Sequence, residues 1–166
     1  IAVYKKLFLM LGVTVLLCIS ASVVWSETMD DLVKRDGLYY KKFTDIPFTG
    51  EITGKIKGSY KNGKEDGSWI SYWDNGQLRS KGDYKNGMYD GSWIKYGDDG
   101  QLWSKGNYKN GKREGSWVSY ASDGKLRFKG DFKNGKKEGY WVIYKYDGSV
   151  DKVNSGTYKD GKRISD

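Results

Sequence analysis

Residues 82–105 read GDYKNGMYDGSWIKYGDDGQLWSK, and nearly the same 24 residues recur on either side, at 58–81 and 106–129. A fourth copy at 130–155 is two residues longer, and a truncated fifth begins at Gly156. The tryptophan keeps this step at Trp69, Trp93, Trp117 and Trp141. A period of this length is typical of repeat architectures, in which each unit packs on the next one.

Each unit contains two Asn-Gly or Asp-Gly pairs, for instance Asn86-Gly87 and Asp99-Gly100. Such pairs favour the positive φ angles of two-residue hairpin turns. Two turns per unit predict two strands per unit. We therefore expect an all-β fold, an elongated antiparallel β-meander of 24-residue hairpin repeats over residues 58–166.

The predicted register follows from taking both turns as two-residue loops. It pairs Gly82 with Gly91 and Trp93 with Gly106, and it lays each indole over a glycine of the neighbouring strand. Period-two alternation then separates an aromatic face from a charged face. The predicted repeat core is Trp69, Trp93, Trp117, Trp141, Tyr84, Tyr108, Gly82, Gly106 and Gly130.

The same register predicts four cross-strand ion pairs. They join Asp66 to Lys85, Asp90 to Lys109, Glu114 to Lys133 and Glu138 to Lys159. It also makes Lys61 face Lys64, and Lys109 face Lys112, beside the first turn. Because like charges repel across a strand pair, a longer first loop remains an alternative.

Two segments precede the repeats. Lys5 and Lys6 come before an apolar run at 7–19 and small residues up to Ser26, the layout of a secretory signal. Residues 1–26 are therefore predicted to be a signal peptide or, since the run can reach the length of a membrane span, a membrane anchor. Residues 27–57 are predicted to hold a short helix at 28–35, capped by Thr28, and a degenerate first repeat.

Composition argues against an enzyme. The chain has no histidine and one cysteine, Cys18, which excludes histidine-based triads and sites built from several His or Cys ligands. The recurring Asp66, Asp90, Glu114 and Glu138 each precede a glycine, so we interpret them as structural. The sequence predicts no catalytic residue, no metal and no cofactor.

The unit Gly-x-Tyr-Lys-Asn-Gly-Lys-x-x-Gly-x-Trp-x-x-Tyr-x-x-x-Gly-x-Leu resembles the MORN-repeat variant of bacterial proteins, including those grouped as YwqK-like antitoxins. The resemblance runs from about Gly58 to Lys162, with isoleucine or valine after the tryptophan where a second glycine is usual. It implies an elongated sheet that contacts proteins or, in some members, lipid headgroups. An antitoxin normally meets its toxin inside the cell, which the predicted export segment argues against.

A second hypothesis comes from choline- and glucan-binding modules, which also repeat aromatic residues and glycines. In such modules tryptophans form cages for a quaternary ammonium or a sugar, and the four periodic tryptophans would be the cage here. The alternative, that the four periodic tryptophans form the core of the repeats, is favoured. Trp73, Trp103 and Tyr89 break the period and are better candidates for a specific contact.

The predicted binding surface is a row of lysines. Lys81, Lys105 and Lys129 each precede the repeat glycine, at steps of 24 residues. No packing requirement explains them, and they suit a protein partner or an anionic envelope surface. A solvated row that merely prevents aggregation is the alternative, and Trp73 and Trp103 are the next candidates.

We expect the protein to be exported, and so periplasmic, secreted or anchored in the cytoplasmic membrane by the N-terminal segment. Membrane contact is possible through that segment. Nucleic-acid binding is disfavoured, because it would rest on the net charge of +8 alone. The oligomeric state is open.

Overall fold

A computed structural model of the chain describes residues 26–166. This part is all β, with a two-stranded sheet and a 12-stranded sheet. The predicted signal or anchor segment at 1–26 lies outside the described residues, apart from Ser26. Within the described part, no helix has the length and apolar character needed to cross a membrane.

The strands follow a single 3-10 turn, Met29–Asp31. They are β1 Leu32–Arg35, β2 Leu38–Lys41, β3 Gly50–Ile52, β4 Ile56–Lys61, β5 Lys64–Glu65, β6 Gly67–Tyr72, β7 Leu78–Lys85, β8 Met88–Tyr96, β9 Leu102–Lys109, β10 Lys112–Tyr120, β11 Leu126–Lys133, β12 Lys136–Ile143, β13 Gly156–Lys159 and β14 Lys162–Ser165.

The large sheet is an antiparallel meander. From β6 to β14 every strand pairs with its neighbour in sequence, and β4 and β3 continue the sheet beyond β6, with β5 pairing with β4. This confirms the predicted all-β fold of hairpin repeats. Because consecutive units are neighbours in the sheet, the repeat period of the sequence becomes a repeat along the sheet.

The first turn of each unit is the predicted two-residue loop. Asn86 and Gly87 have φ angles of 52° and 79°, and Lys85 pairs directly with Met88. The alternative of a longer loop is therefore wrong. In the other units the turn is flanked by two facing lysines, at Lys61 and Lys64, Lys109 and Lys112, Lys133 and Lys136, and Lys159 and Lys162.

The second turn is longer than predicted. The Gly100 N–H donates to the Gly97 carbonyl at 3.0 Å, and the Gly97 N–H donates to the Gln101 carbonyl at 2.8 Å. The loop is thus a β-turn followed by a glycine in the left-handed region, with φ 79° at Gly100. A shift of register after Lys95 absorbs the extra residue, so the predicted pairing of Trp93 with Gly106 is confirmed.

A bulge in β8 prevents the other predicted pairing, that of Gly82 with Gly91. Asp83 pairs with Asp90, but the next pair is Lys81 with Ile94, so residues 91–93 lie opposite Gly82 alone. Gly91 has a φ of 70°, a left-handed conformation that favours glycine. The predicted partnership of Gly82 with Gly91 is wrong because an alternating pattern does not reveal the extra residues of a bulge.

The predicted ion pairs are not formed among the described residues, although the register from which they were predicted holds at the adjoining pairs, such as Gly67 with Tyr84 and Gly91 with Tyr108. The carboxylates of Asp66, Glu114 and Glu138 accept hydrogen bonds from backbone N–H groups one residue beyond the predicted lysines. The donors are Asn86 at 3.2 Å, Asn134 at 2.8 Å and Asp160 at 3.0 Å. Asp90 lies opposite Asp83 in the β7–β8 ladder. The carboxylates of Asp66, Glu114 and Glu138 thus bind the first turn of the next hairpin. These hydrogen bonds join neighbouring units through the backbone.

The N-terminal residues cover one end of the aromatic face. The helix predicted at 28–35 is only the 3-10 turn followed by β1, although Thr28 and Asp31 do form the predicted cap, with the Thr28 N–H 2.8 Å from Asp31 Oδ2. Leu32 belongs to one buried cluster with Tyr60 and Trp69. Residues 27–57 thus shield the first aromatic residues of the array.

Candidate binding surface

The periodic tryptophans are the core of the aromatic face. Their exposed fractions are 8% for Trp69, 5% for Trp93, 5% for Trp117 and 1% for Trp141. Each indole lies flat against the repeat glycine of the preceding strand: a Cβ on Gly82 would come 2.3 Å from the Trp93 ring. The predicted contact of Trp93 with Gly106 is therefore wrong, although the two residues are in register. Gly106 is covered by Trp117, because the bulge directs each ring back to the earlier strand.

Each of these indoles also has its N–H satisfied. The donors bond to backbone carbonyls of the preceding strand, at Ser59, Asp83, Asn107 and Asp131, over 2.9 to 3.2 Å. An aromatic cage requires rings whose faces are open to the ligand. Here both the faces and the N–H groups are engaged within the sheet, so the four tryptophans are unsuited to a choline or sugar cage.

Tyr89, a non-periodic aromatic residue, also belongs to this core. Its ring centroid lies 4.3 Å from that of Trp93 and 4.8 Å from that of Tyr84. Burial raises the pKa of Tyr84 far above its ordinary value, and that of Tyr60 likewise. In the next unit the position of Tyr89 is taken by Arg113, whose guanidinium lies 4.5 Å from the Trp117 ring. The rings of Tyr84, Tyr89 and Trp93 thus pack on one another, beside a cavity of about 390 Å³ on the same face.

The opposite face carries a second periodic pattern. The ladders place a lysine opposite an isoleucine or valine on eight successive strands, at the level of the residue that follows each tryptophan. The order across the sheet is Lys57, Ile70, Lys81, Ile94, Lys105, Val118, Lys129 and Val142. We call this the lysine–aliphatic row. Its lysines are exposed and its aliphatic side chains are half-buried.

The row brings together the three predicted lysines, Lys81, Lys105 and Lys129, and adds Lys57 at one end. The aliphatic members, such as Ile94 and Val118, were not among the predicted residues. The step of 24 residues that joins the isoleucines and valines was the signal that could have found them.

A groove of about 530 Å³ runs beside this row. Lys105 and Lys129 line it together with Val118, Val142 and Tyr140. Tyr140 is 60% exposed and stands where the three earlier units have serine, at Ser68, Ser92 and Ser116. Tyr140 was not predicted from the sequence, although it interrupts the series of serines at 24-residue steps.

Trp73 and Trp103, the two remaining candidates, are neighbours. Their ring centroids lie 6.4 Å apart, and the Arg79 guanidinium lies 4.8 Å from the Trp73 ring. Trp103 is 44% exposed and is the extra residue of β9 at the register shift, so alternation from Lys105 does not fix its face. Trp73 and Trp103 line a cavity of about 390 Å³ together with Trp69 and Trp93. The pair therefore borders the aromatic face and lies apart from the lysine–aliphatic row.

Acidic residues lie on the same face as the lysine–aliphatic row. Asp83 and Asp131 are exposed and lie two residues from Lys81 and Lys129 on β7 and β11. The Ser116 hydroxyl donates to Asp131 Oδ1 at 2.6 Å. Between residues 26 and 166, no three His, Cys, Asp or Glu side chains converge on one point as a metal site would require. The surface combines cations, carboxylates, aliphatic groups and aromatic groups, which is the chemistry of a binding face.

A single-layer antiparallel meander with one self-packed face and one periodic exposed face defines a β-repeat protein. Three consecutive segments, 65–86, 89–110 and 113–134, match the family model of the MORN repeat variant. A comparison with curated proteins gave no match. MORN repeats generally mediate contacts with proteins or membrane lipids. The finer grouping with bacterial YwqK-like proteins stays a prediction.

Proposed function

We propose that this chain is an exported, non-enzymatic scaffold that binds an acidic protein partner on its lysine–aliphatic row. The observation that carries the proposal is the row itself, which crosses eight strands at one level. Every other strand contributes a lysine, and the strands between contribute isoleucine or valine.

The row contrasts with the aromatic face in what it does for the fold. The tryptophans pack on glycines and bond to the preceding strand, so their periodicity is explained by folding. The lysines make no such contribution, and half-buried isoleucine and valine side chains between them leave apolar area for a partner to cover. Charged groups that flank apolar ones give a partner both attraction and specificity.

A protein partner fits this face better than a lipid surface does. An anionic bilayer presents a uniform negative potential, which would repel Asp83 and Asp131 as it attracts Lys81 and Lys129. A folded or extended protein can place cations opposite those carboxylates and acidic side chains opposite the lysines. The mixed charges therefore favour a protein.

The proposal is tested by changing Lys81, Lys105 and Lys129 together to glutamine in the full chain. Binding of poly-L-glutamate at low salt should weaken about tenfold, because three exposed ion pairs at about 0.5 kcal/mol each are lost. The difference between parent and variant should shrink at high salt, where exposed charges are screened. Fluorescence anisotropy of the labelled polymer measures both effects.

The matched control changes Lys61, Lys109 and Lys133 to glutamine. It removes the same charge, but these lysines flank the first turns and lie outside the row. We expect it to weaken binding less than about threefold, since only the net charge is altered. Equal losses in the two triple variants would mean that the row contributes only its positive charge and no specific binding surface. Tighter binding to phosphatidylglycerol vesicles than to polyglutamate would favour a lipid surface instead.

The exported location is a separate part of the proposal and rests on the sequence of residues 1–26. A reporter that works only in the periplasm, fused after Ile164, should be active, and the same fusion without residues 1–25 should not be. If a reporter that works only in the cytoplasm is active instead, the export proposal fails. An intracellular, antitoxin-like role would then be the better proposal.

A further inference from the structure

We propose that the lysine–aliphatic row binds a polyproline II segment that carries a carboxylate at every third residue. This inference rests on the function proposed above and gives the partner a conformation and a spacing. It starts from the distance between successive lysines of the row, which lie two strands apart.

The strand spacing sets that distance. Neighbouring strands lie about 4.7–4.9 Å apart, so backbone positions two strands apart are separated by about 9.4–9.8 Å. A polyproline II helix has three residues per turn and a rise of about 3.1 Å per residue. Every third residue therefore points to the same side and repeats after about 9.3 Å, which matches the lysine spacing.

Other extended or helical ligands fit less well. In a β-strand, side chains on the same face repeat after about 6.7 or 13 Å, and the third residue along points away. In an α-helix, residues on one face three or four apart are about 4.5–6 Å apart along the axis. Only a spacing of seven residues, about 10.5 Å, comes near, and it leaves two turns of helix between carboxylates.

The direction of the row also favours polyproline II. The row crosses the strands at about a right angle, so a ligand lying along it cannot pair its backbone with the sheet as an added strand would. A polyproline II backbone has no internal hydrogen bonds and stays solvated, and it therefore needs no backbone partner. Its conformation is largely preformed, which lowers the entropy cost of binding.

The aliphatic members of the row account for the residues between the carboxylates. Ile94 and Val118 lie between Lys81, Lys105 and Lys129 at the same level of the sheet. One face of a threefold helix presents two of every three residues, so one proline ring of each triplet can lie beside the carboxylate and cover these half-buried side chains.

Tyr140, which is exposed and lines the groove beside the row, adds the aromatic character that grooves for proline-rich segments usually have. The four lysines of the row, from Lys57 to Lys129, span three intervals, or about 29 Å. Ten residues of polyproline II span nearly the same length, about 28 Å.

The test compares two peptides of equal composition, EPPEPPEPPE and PPPEEEEPPP, by fluorescence anisotropy against the full chain at low salt. The first places its carboxylates in register with the lysines and should bind about tenfold more tightly. The preference should disappear in the triple glutamine variant of Lys81, Lys105 and Lys129. Changing Val118 to threonine should weaken the first peptide about threefold, since its proline rings contact that position.

The outcomes separate this inference from the proposed function. If both peptides bind equally and both depend on the three lysines, the row is a binding surface but the polyproline II spacing is wrong. If polyglutamate binds and neither peptide does, the inference fails alone. If no acidic probe depends on the row, the inference and the proposed function fail together.

Discussion

Replacing Trp93 by alanine is expected to lower the free energy of unfolding by about 3–5 kcal/mol, the range for a large buried aromatic side chain. The ring is 5% exposed and contacts Tyr84 and Tyr89 at centroid distances of 5.2 and 4.3 Å. Its loss also leaves the Asp83 carbonyl without the indole donor that lies 2.9 Å away. Urea unfolding followed by circular dichroism measures the change.

The control is Trp103, which is 44% exposed and is not one of the periodic tryptophans. Alanine at this position should cost about 1 kcal/mol or less, because a half-exposed ring loses little burial on truncation. Equal losses at Trp93 and Trp103 would contradict the assignment of the periodic tryptophans to the core. A large loss at Trp103 with none at Trp93 would contradict it as well.

Turn chemistry made the fold predictable. The recurring Asn-Gly pair demands two consecutive positive φ angles, and Asn86 and Gly87 have them. Given that turn and the step of 24 residues, the number of strands, their antiparallel order and the pairing of Trp93 with Gly106 all follow. These features depend on local backbone preference, which a single sequence displays directly.

The contacts across the bulge could not be predicted in the same way. Gly91 signals a possible positive φ, but nothing in its type says that residues 91–93 together oppose Gly82. The bulge decides which glycine an indole covers, and that choice depends on the packing of several strands. The predicted lysine partner of Asp66 was one residue away from the true donor, the N–H of Asn86, because an alternating pattern does not show which backbone N–H of a turn a carboxylate accepts from.

The candidate site was also predictable only in part. Lys81, Lys105 and Lys129 were predictable as a row because a periodic sequence on a regular sheet places equivalent residues at one level. The aliphatic members were missed because only the register shows that Ile94 lies between Lys81 and Lys105. Tyr140 was missed because its position beside Lys129 depends on the register shift between β11 and β12.

Replacing Gly106 by alanine should distinguish the two tryptophans that could cover this glycine. A Cβ at Gly106 would lie 2.2 Å from the Trp117 ring, which is closer than two carbons can approach, so the ring must move. We expect a loss of about 3 kcal/mol in the free energy of unfolding, at the upper end of the usual cost of overpacking. Backbone strain is not the cause, because φ at Gly106 is not in the left-handed region.

A double-mutant cycle identifies the covering ring. With Trp117 changed to leucine, the Gly106→Ala penalty should fall below about 1 kcal/mol, since the flexible leucine side chain can vacate the space above the glycine. With Trp93 changed to leucine, the penalty should remain near its full value, because Trp93 pairs with Gly106 only through the backbone ladder. The reverse result, with coupling to Trp93 and none to Trp117, would mean that each indole covers its register partner and that the bulge at Gly91 does not direct the rings to the preceding strand.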